Sequence, residues 1–546
     1  MLRPDAVHPT DQTSAPEGLG EWNGASAFVT ILAAQVYGAM LVVAVACWRS
    51  AAARMWTLAA TAVLLIAAGV LFTLGDDERV LARSILIVAA CVAMVLLDAA
   101  VSKDRPPSFL CAGAFGAWIS FAVMIPIMVA RPYDSDELWA VIHRSPAVET
   151  VQWMTLVGVI SFGSALLTSR FILWPVERWW ARIWDSRLVF AEQDGGFTLA
   201  GIVLVGVSVF LFKIVFVGSG FLGTGSVPVS MTWVLSGLYF VYYVALYAAN
   251  ARMLGEGRLN LPTVGFDLVA FAYEIASGSK GRFAVYVLFP LMLVAVFQKR
   301  RLSWYTAGGF GSVVGVAVLV VYPLLVSYRA ELSESVDPGR PNAALMVRAS
   351  GSWSDSYEEK IALAVARAGP AEQVLASTSL VYFDVRHDAQ RLWERLAFFW
   401  IPRALWPEKA ESLSGGDIGK ESHRLSLQSQ TAVLQTGIGE LYVYFGVTGA
   451  LGLFLTGLLF RLIDVAYSCF RFPQSLRIGA SIYAFRELSG VVTGDYEPAM
   501  TIPFSSTVIL LSLLSVLALA ASLFSGALGE SVEKAKVARV DGTLGR

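Results

Sequence analysis

Apolar runs long enough to cross a lipid bilayer recur along most of this chain. A spanning helix needs about 20 mostly apolar residues, because the hydrocarbon core is about 30 Å thick and each residue rises about 1.5 Å. On that criterion the chain contains about thirteen candidate spans, within a range of twelve to fourteen. The candidates lie near residues 26–47, 55–74, 80–98, 109–130, 150–168, 197–217, 231–249, 261–277, 283–297, 305–326, 438–463, 478–492 and 502–524. The sequence therefore predicts an all-α, polytopic integral membrane protein.

Composition supports this fold class and limits the partners. The 546 residues are 56% hydrophobic and 15% charged, whereas soluble globular chains carry about 25% charged residues. The net charge of −1 argues against nucleic acid as a partner, because domains that bind nucleic acid are usually strongly basic. The four cysteines lack metal-ligand or disulfide spacing, and the four histidines are scattered. No metal and no cofactor are therefore expected.

Lysine and arginine residues in the short connections predict the orientation of the chain in the membrane. Basic residues fill alternate connections, as in Lys299–Arg301 and around Arg471 and Arg477, and the C-terminal tail is also basic. The intervening connections are mostly acidic or uncharged, as in Asp76–Glu78. Since cytoplasmic loops carry the excess of positive charge, the large loop between the tenth and eleventh spans is expected to face outward.

These patterns divide the chain into five regions. We expect a polar N-terminal tail without a cleavable signal peptide, a first transmembrane bundle, a large and partly helical extracytoplasmic loop, further transmembrane helices and a cytoplasmic tail. In order, these regions are residues 1–25, 26–326, 327–437, 438–524 and 525–546. Tryptophans and arginines in 174–190 predict an amphipathic helix in the inner interface. Within the loop, apolar spacing predicts helices over 358–368 and 388–399.

The first candidate site is the glycine-rich turn Ser277–Phe283, with Lys280 and Arg282 at the outer end of a predicted helical hairpin. Glycines let a backbone approach an anion closely, and the two cations supply charge. The alternative is an ordinary interhelical turn whose cations reach toward the interface.

The second candidate site is the loop segment 391–409, which holds four cations and three tryptophans in nineteen residues. Two of the cations are four residues apart and share one face if the segment is helical, and a third follows a proline. Guanidinium groups match phosphate oxygens, and aromatic faces suit sugar rings. The alternative is a solvated amphipathic helix with cations paired to nearby carboxylates. The candidate residues are Arg391, Arg395, Arg403, Trp406 and Lys409.

The third candidate site is the segment Gly437–Gly446, which opens the eleventh predicted span. Glu440 lies where the chain enters the apolar run, and an ionisable group at that depth is a functional candidate. Tyr442 is a candidate for substrate contact. Tyr444 fits better as a plain interfacial aromatic residue.

Together these segments resemble a known family. The outward Gly-Ser-Lys-Gly-Arg turn, the Phe-Trp-Ile-Pro-Arg-Ala-Leu-Trp-Pro-Glu-Lys run and Gly-Glu-Leu-Tyr-Val-Tyr-Phe-Gly are similar to segments of the Wzy-type oligosaccharide repeat-unit polymerases of O-antigen, capsule and exopolysaccharide. The resemblance covers roughly residues 200–525 and extends in layout to the O-antigen ligases. Lys280 stands where relatives often have arginine, and His423-Arg424 does not match the ligase histidine pattern.

The resemblance implies a metal-independent glycosyltransferase of the bacterial inner membrane. Its substrates would be polyprenyl-diphosphate-linked oligosaccharides in contact with membrane lipid, and a chain-length-regulating membrane protein is an implied partner. Cations would stabilise the diphosphate leaving group, and a carboxylate would act as base on the acceptor hydroxyl. The catalytic residues implied are Arg282, Arg403, Glu440 and, as a second choice of base, His423. Those implied in substrate binding are Lys280, Arg391, Arg395, Trp406, Lys409 and Tyr442.

Two alternatives stay open at this point. A ligase that moves finished glycan to another acceptor would use the same cations and differ in its product. A transporter or flippase would place charges and broken helices near the middle of the bilayer. Here the charge concentrates in one outer loop, which argues against a transporter. Charged residues inside predicted spans keep that alternative open, namely Lys213, Asp267, Glu274 and Arg486.

Overall fold

The computed structural model describes part of the chain, and all regular elements in that part are helical, without strands. The described residues are 62–63, 65–73, 75–101, 109–130, 146–185, 206–208, 229–256, 260–276, 290–291, 294, 317–333, 343–351, 357, 371–398, 436–469, 474–493, 496, 500–501 and 507–508. The all-α prediction is confirmed for these residues.

The helices are numbered here in chain order. Those before the large loop are α1 (Asp76–Val101), α2 (Phe109–Ala130), α3 (Ala147–Asp185), α4 (Val229–Glu256), α5 (Leu261–Ala276) and α6 (Tyr322–Ser333), the last preceded by a π-helical turn (Ala317–Val321). Those that follow are α7 (Ala343–Gly351), α8 (Ala371–Tyr382), α9 (Ala389–Phe398), α10 (Gly437–Phe445), α11 (Leu453–Cys469) and α12 (Gln474–Thr493). A 3₁₀ segment, Gly446–Gly452, joins α10 to α11.

Among the residues that the structure describes, three helical stretches are long and apolar enough to cross a membrane: Glu78–Asp98, Ala147–Ser169 and Gly437–Val465. Predicted spans near 109–130, 231–249, 261–277 and 478–492 also coincide with helices. The total of about thirteen spans stays a prediction. The predicted spans that lie wholly or largely outside the described residues are 26–47, 197–217, 283–297 and 502–524, and more than half of 305–326 lies outside them too.

Helices α3 and α11 pack side by side and run in the same direction. Gly158 lies against Leu453, and further along both helices the ring of Phe162 meets Phe460 edge to face with centroids 4.9 Å apart. The contact is close because Gly457 carries no side chain where it faces the backbone carbonyl of Phe162. A small residue at a helix crossing lets two backbones approach in this way.

Helix α1 joins this pair and runs parallel to α3. The Arg83 guanidinium donates to Gln152 (2.7 Å) and to Glu149 (3.2 Å). About three turns further along both helices, Met94 fills the space beside Gly163. The starts of α1, α3 and α11 therefore lie at one end of the bundle, called here the α10 end because the last residue of α10 joins α11 there through the 3₁₀ segment. The sidedness predicted from basic residues also requires these three starts to share one side, although which side is outward stays a prediction.

The large loop contains a helix that the sequence did not predict. Most of the middle of α8 is buried, including Val374, Leu380 and Ser379, and this helix packs on α3 and α10. A Gly-Pro pair followed by an apolar pattern was the signal for its start. The helix predicted over 388–399 is confirmed as Ala389–Phe398.

Three further expectations concern segment boundaries. Helix α6 continues to Ser333, past the predicted span end at 326. Helix α3 continues through Pro175 to Asp185, so the first part of 174–190 extends a span-length helix. The helix predicted over 358–368 lies outside the described residues.

Replacement of Gly457 by alanine is expected to destabilise the protein. Its Cβ would lie 2.5 Å from the Phe162 carbonyl oxygen and force α3 and α11 apart, and such overpacking costs about 1–3 kcal/mol. The thermal unfolding midpoint of purified protein in detergent measures the effect. Gly265→Ala in α5 is the matched control, because a Cβ there meets nothing within 4 Å and alanine is the better helix former by about 1 kcal/mol. Equal midpoints for the two variants would contradict the packing argument.

Candidate functional site

Helix α10 is nine residues long and begins inside the protein. Thr436 caps it: the side-chain oxygen accepts the Gly439 N–H (3.0 Å), and the backbone carbonyl accepts the Glu440 N–H (2.9 Å). The Ser377 hydroxyl of α8 hydrogen-bonds the Thr436 hydroxyl. Because Thr436 is 1% exposed, water does not supply these contacts, so the loop helix α8 helps to fix the start of the span.

Glu440 lies in the first turn of α10, where the positive end of the helix dipole favours a carboxylate. Its side chain is 2% exposed, and its Oε2 accepts the backbone N–H of Tyr496 (2.6 Å). The Tyr496 hydroxyl in turn donates to the Gly452 carbonyl at the end of the 3₁₀ segment (3.0 Å). Glu440 and Tyr496 thus bridge both sides of the break between α10 and α11.

The C-terminal end of α10 is satisfied by backbone and side-chain donors from the loop. The Tyr442 carbonyl accepts from the Gly446 N–H and from Arg386 Nη1 (3.2 Å), and the Val443 carbonyl accepts the His387 N–H (2.9 Å). Gly446 has φ +65° and ψ −150°, a conformation that side chains disfavour. A Cβ there would lie 2.3 Å from Arg386 Nη1. Glycine is therefore required both for the break and for the approach of the arginine.

Asp384 places Arg386 at this helix end. Helix α8 closes with a Schellman motif in which the Val385 N–H donates to Leu380 (3.0 Å) and the Asp384 N–H to Val381 (3.2 Å). The left-handed position of the motif is Asp384, with φ +47°, where glycine is usual and aspartate is tolerated. Val385 then packs against Leu380 and Val443. This reversal turns the chain from α8 onto α10.

Asp384, Arg386 and Tyr442 form a closed triad. Asp384 Oδ1 accepts from Arg386 Nε (2.8 Å) and from the Tyr442 hydroxyl (2.9 Å), and Arg386 Nη2 donates to the Tyr442 hydroxyl (3.4 Å). The guanidinium carbon lies 4.3 Å from the centre of the Tyr442 ring, a cation–π contact. The hydrogen bond from Tyr442 and the bond and charge of Arg386 hold the pKa of the Asp384 carboxyl below its ordinary value.

The predicted arginine pair of α9 separates in the structure. Arg391 is exposed, whereas Arg395 is 7% exposed and faces the protein with Leu392. The carboxylates proposed as their partners have other contacts: Asp388 Oδ1 accepts the Gln390 N–H (2.9 Å), and Glu394 accepts the Gln390 amide (2.7 Å). Only Arg391 therefore presents its charge on the surface of α9.

The structure brings some predicted site residues together and adds others. Glu440 and Tyr442 lie on one helix, and the loop adds Asp384 and Arg386, which sequence reasoning missed. The sequence does signal these two residues, because an aspartate follows the apolar end of α8 and charged residues come directly after it. It does not show that they contact Tyr442. Six predicted site residues lie outside the described part of the chain: Lys280, Arg282, Arg403, Trp406, Lys409 and His423.

A second polar cluster joins α4, α5 and α12. The Tyr243 hydroxyl donates to Glu274, a side chain that is 1% exposed. The Arg486 guanidinium, 7% exposed, lies over the rings of Tyr483 (4.5 Å) and Tyr243 (5.2 Å). Two turns along the same antiparallel pair of helices, Asn250 of α4 donates to Asp267 of α5 (2.7 Å).

Acid is expected to weaken the triad. The pKa of Asp384 is lower in the folded protein than in the unfolded chain, so its contribution to stability is present above about pH 4 and is lost as the pH falls through the folded value. The effect is small because the carboxyl group is exposed. Unfolding midpoints of wild type and Asp384→Asn should therefore differ near neutral pH and converge as the pH falls below the folded pKa of Asp384. Asp388→Asn is the control, and a constant difference for Asp384→Asn at every pH would contradict the assignment.

Within the described part of the chain no three His, Cys, Asp or Glu side chains group as a metal site would require. Comparisons with protein-family models, with curated proteins and with solved structures gave no match to this chain. Its function is therefore argued from the geometry of its own residues.

Proposed function

We propose that this chain polymerises polyprenyl-diphosphate-linked oligosaccharide repeat units at the outer face of the bacterial inner membrane, as a multi-pass protein. The observation that carries the proposal is the contact of Arg386, from the large loop, with Tyr442, from the segment Gly437–Gly446. That segment is one of the three through which the chain resembles the repeat-unit polymerases. A loop cation held beside the start of an apolar span suits a substrate with a lipid tail and a diphosphate group.

The reaction is a glycosyl transfer between two lipid-linked chains. A hydroxyl oxygen of the acceptor sugar forms a bond to the anomeric carbon of the donor glycan. The bond between that carbon and the donor diphosphate breaks, and polyprenyl diphosphate leaves with the electron pair. A carboxylate takes the proton of the acceptor hydroxyl. Negative charge develops on the diphosphate, so nearby fixed cations lower the barrier.

Arg386 is the described cation best placed for this task. Its bonds to Asp384 and Tyr442 use three of the five N–H donors of a guanidinium, which leaves two for a phosphate oxygen. The same bonds fix its orientation before substrate arrives, and preorganised donors stabilise a transition state more than mobile ones. In this proposal Lys280, Arg282 and Arg403 supply further charge to the diphosphate.

The two carboxylates near α10 receive different roles. Asp384 is exposed and is held ionised by its partners, so it can accept a hydrogen bond from an acceptor sugar hydroxyl. Glu440 is buried and bonded to the Tyr496 backbone, which favours a positioning role at the start of α10. The earlier assignment of Glu440, or secondarily His423, as the base stays a prediction.

The test is the length distribution of surface and lipid-linked glycan in a deletion strain. The deletion is expected to leave single repeat units, and wild-type protein should restore the ladder. Arg386→Ala and Arg403→Ala should lower polymer yield at least about tenfold, the equivalent of about 1.4 kcal/mol of lost transition-state stabilisation. Arg386→Lys should recover only part of this loss, because lysine keeps the positive charge but lacks the planar set of guanidinium donors.

Arg252→Ala is the control cation, since Arg252 pairs with Glu256 in the last turns of α4. Membrane abundance of each variant is measured in the same cells. A full ladder that stays on its carrier would indicate a ligase. An unchanged glycan in the deletion strain would remove the proposal altogether.

A transporter is the second candidate, favoured by the cluster of Glu274, Tyr243 and Arg486. Buried ionisable side chains shared by three apolar helices are typical of transport pathways. In a flippase, repeat units would accumulate on the cytoplasmic side in the deletion strain. Glu274→Gln would then block export as strongly as the deletion.

In the polymerase, by contrast, Glu274→Gln should change polymer length only as far as it lowers the amount of folded protein. The measurement is the side of the membrane on which lipid-linked units are found, with Asp267→Asn as the matched carboxylate control. Export that fails in Glu274→Gln at normal protein abundance would favour the transporter.

A further inference from the structure

Two large tryptophan side chains are exposed near the α10 end of the bundle. Trp393 of α9 is 50% exposed and its ring lies 5.9 Å from that of Phe445, the last residue of α10. Trp153 of α3 is 40% exposed, and its indole N–H donates to Glu149 one turn nearer the helix start (3.2 Å). Exposed tryptophans with one polar contact are typical of the boundary between lipid and water.

A stripe of exposed apolar side chains begins just beyond Phe445. Its members recur along one face of the 3₁₀ segment and α11, namely Val447, Leu451, Leu455 and Leu462. At about 1.5–2.0 Å per residue the stripe is roughly 25 Å long, close to the hydrocarbon thickness of about 30 Å. In a helix long enough to span, this face contacts lipid, and its start beside Trp393 lies near one boundary of the hydrocarbon core.

The parallel packing of α3 on α11 shows that the two tryptophans share one level. Gly158 lies beside Ala450 and Leu453, and Trp153 precedes Gly158 by about 7.5 Å of helix. The same distance from Ala450 toward the start of the 3₁₀ segment reaches about Gly446. Gly446 follows Phe445, whose ring contacts Trp393. Two helices that are distant in sequence thus place an exposed tryptophan at the same height above the apolar stripe.

We propose that α9 lies on the surface of the lipid bilayer at the α10 end, with Trp393 in the headgroup region of a phospholipid leaflet and Trp153 in the same aromatic belt. Another face of α9 packs against the protein: Leu392 is 1% exposed and Arg395 is 7% exposed. Arg391 is two residues from Trp393, hence about 160° away around the helix, and faces water.

This placement sets the depth of the triad. Tyr442 lies about one turn before Phe445 in α10, so Asp384 and Arg386 lie near the headgroup level of Trp393 rather than far out in solution. This position of α9 at the bilayer surface does not depend on polymerase activity.

The test is the accessibility of a nitroxide spin label in bilayers of phosphatidylethanolamine and phosphatidylglycerol. Labels go on Trp393→Cys, Trp153→Cys, Leu451→Cys and Arg391→Cys in a variant that lacks the native cysteines. Positions 393 and 153 should show similar intermediate depths from the ratio of oxygen to nickel-chelate collisions. Position 451 should be deeper, and position 391 should resemble a site in water.

A water-like signal at position 393 would overturn the proposal. So would a label at 393 that is shielded from both oxygen and the nickel chelate, because a second copy of the chain or another protein would then cover it. A second measurement needs no substitution: wild-type protein in the same lipids, with a photoreactive group near the headgroup, should carry lipid adducts on α9. Adducts on α11 without any on α9 would also overturn it.

Discussion

The structure depends on a short helix whose two ends are both buried. Helix α10 has nine residues, and isolated helices of that length are marginal in water. Its orphan N–H and C=O groups need partners, because burial without hydrogen bonds costs several kcal/mol in an apolar environment. Thr436 supplies one at the start, where Ser377 holds the Thr436 hydroxyl, and Arg386 and the His387 backbone supply partners at the end. The loop is therefore a structural part of the bundle.

This requirement also explains why polar residues meet beside a membrane span. The arginine that satisfies the last turn of α10 brings its charge, and Asp384 neutralises part of that charge while it closes α8 in a left-handed conformation. Non-glycine residues with positive φ persist where the surroundings determine them. A packing solution and a candidate site for an anionic substrate thus use the same three side chains.

The break after α10 lets the 3₁₀ segment pack closely against α10 while the apolar face of the segment can contact lipid. Gly446 and Gly449 permit this close approach, because a Cβ on Gly449 would lie 2.3 Å from the Leu441 carbonyl oxygen. Tyr496 holds the two halves together through Glu440 and Gly452. Irregular backbone at membrane depth is tolerated where protein covers it, and here the covering contacts on the 3₁₀ segment come from α3 and from Tyr496 after α12.

The sequence by itself determined the helical class and several helix positions, and it singled out Glu440 and Tyr442 as site candidates. Hydropathy and helical period are local properties, so α9 was predicted to within one residue at each end. Only the tertiary structure decided which side chains meet. Glu440 finds Tyr496, 56 residues away, and Arg386 finds Tyr442, also 56 residues away. Such partners follow from helix packing and from a single left-handed aspartate, and neither has a periodic signal in the sequence.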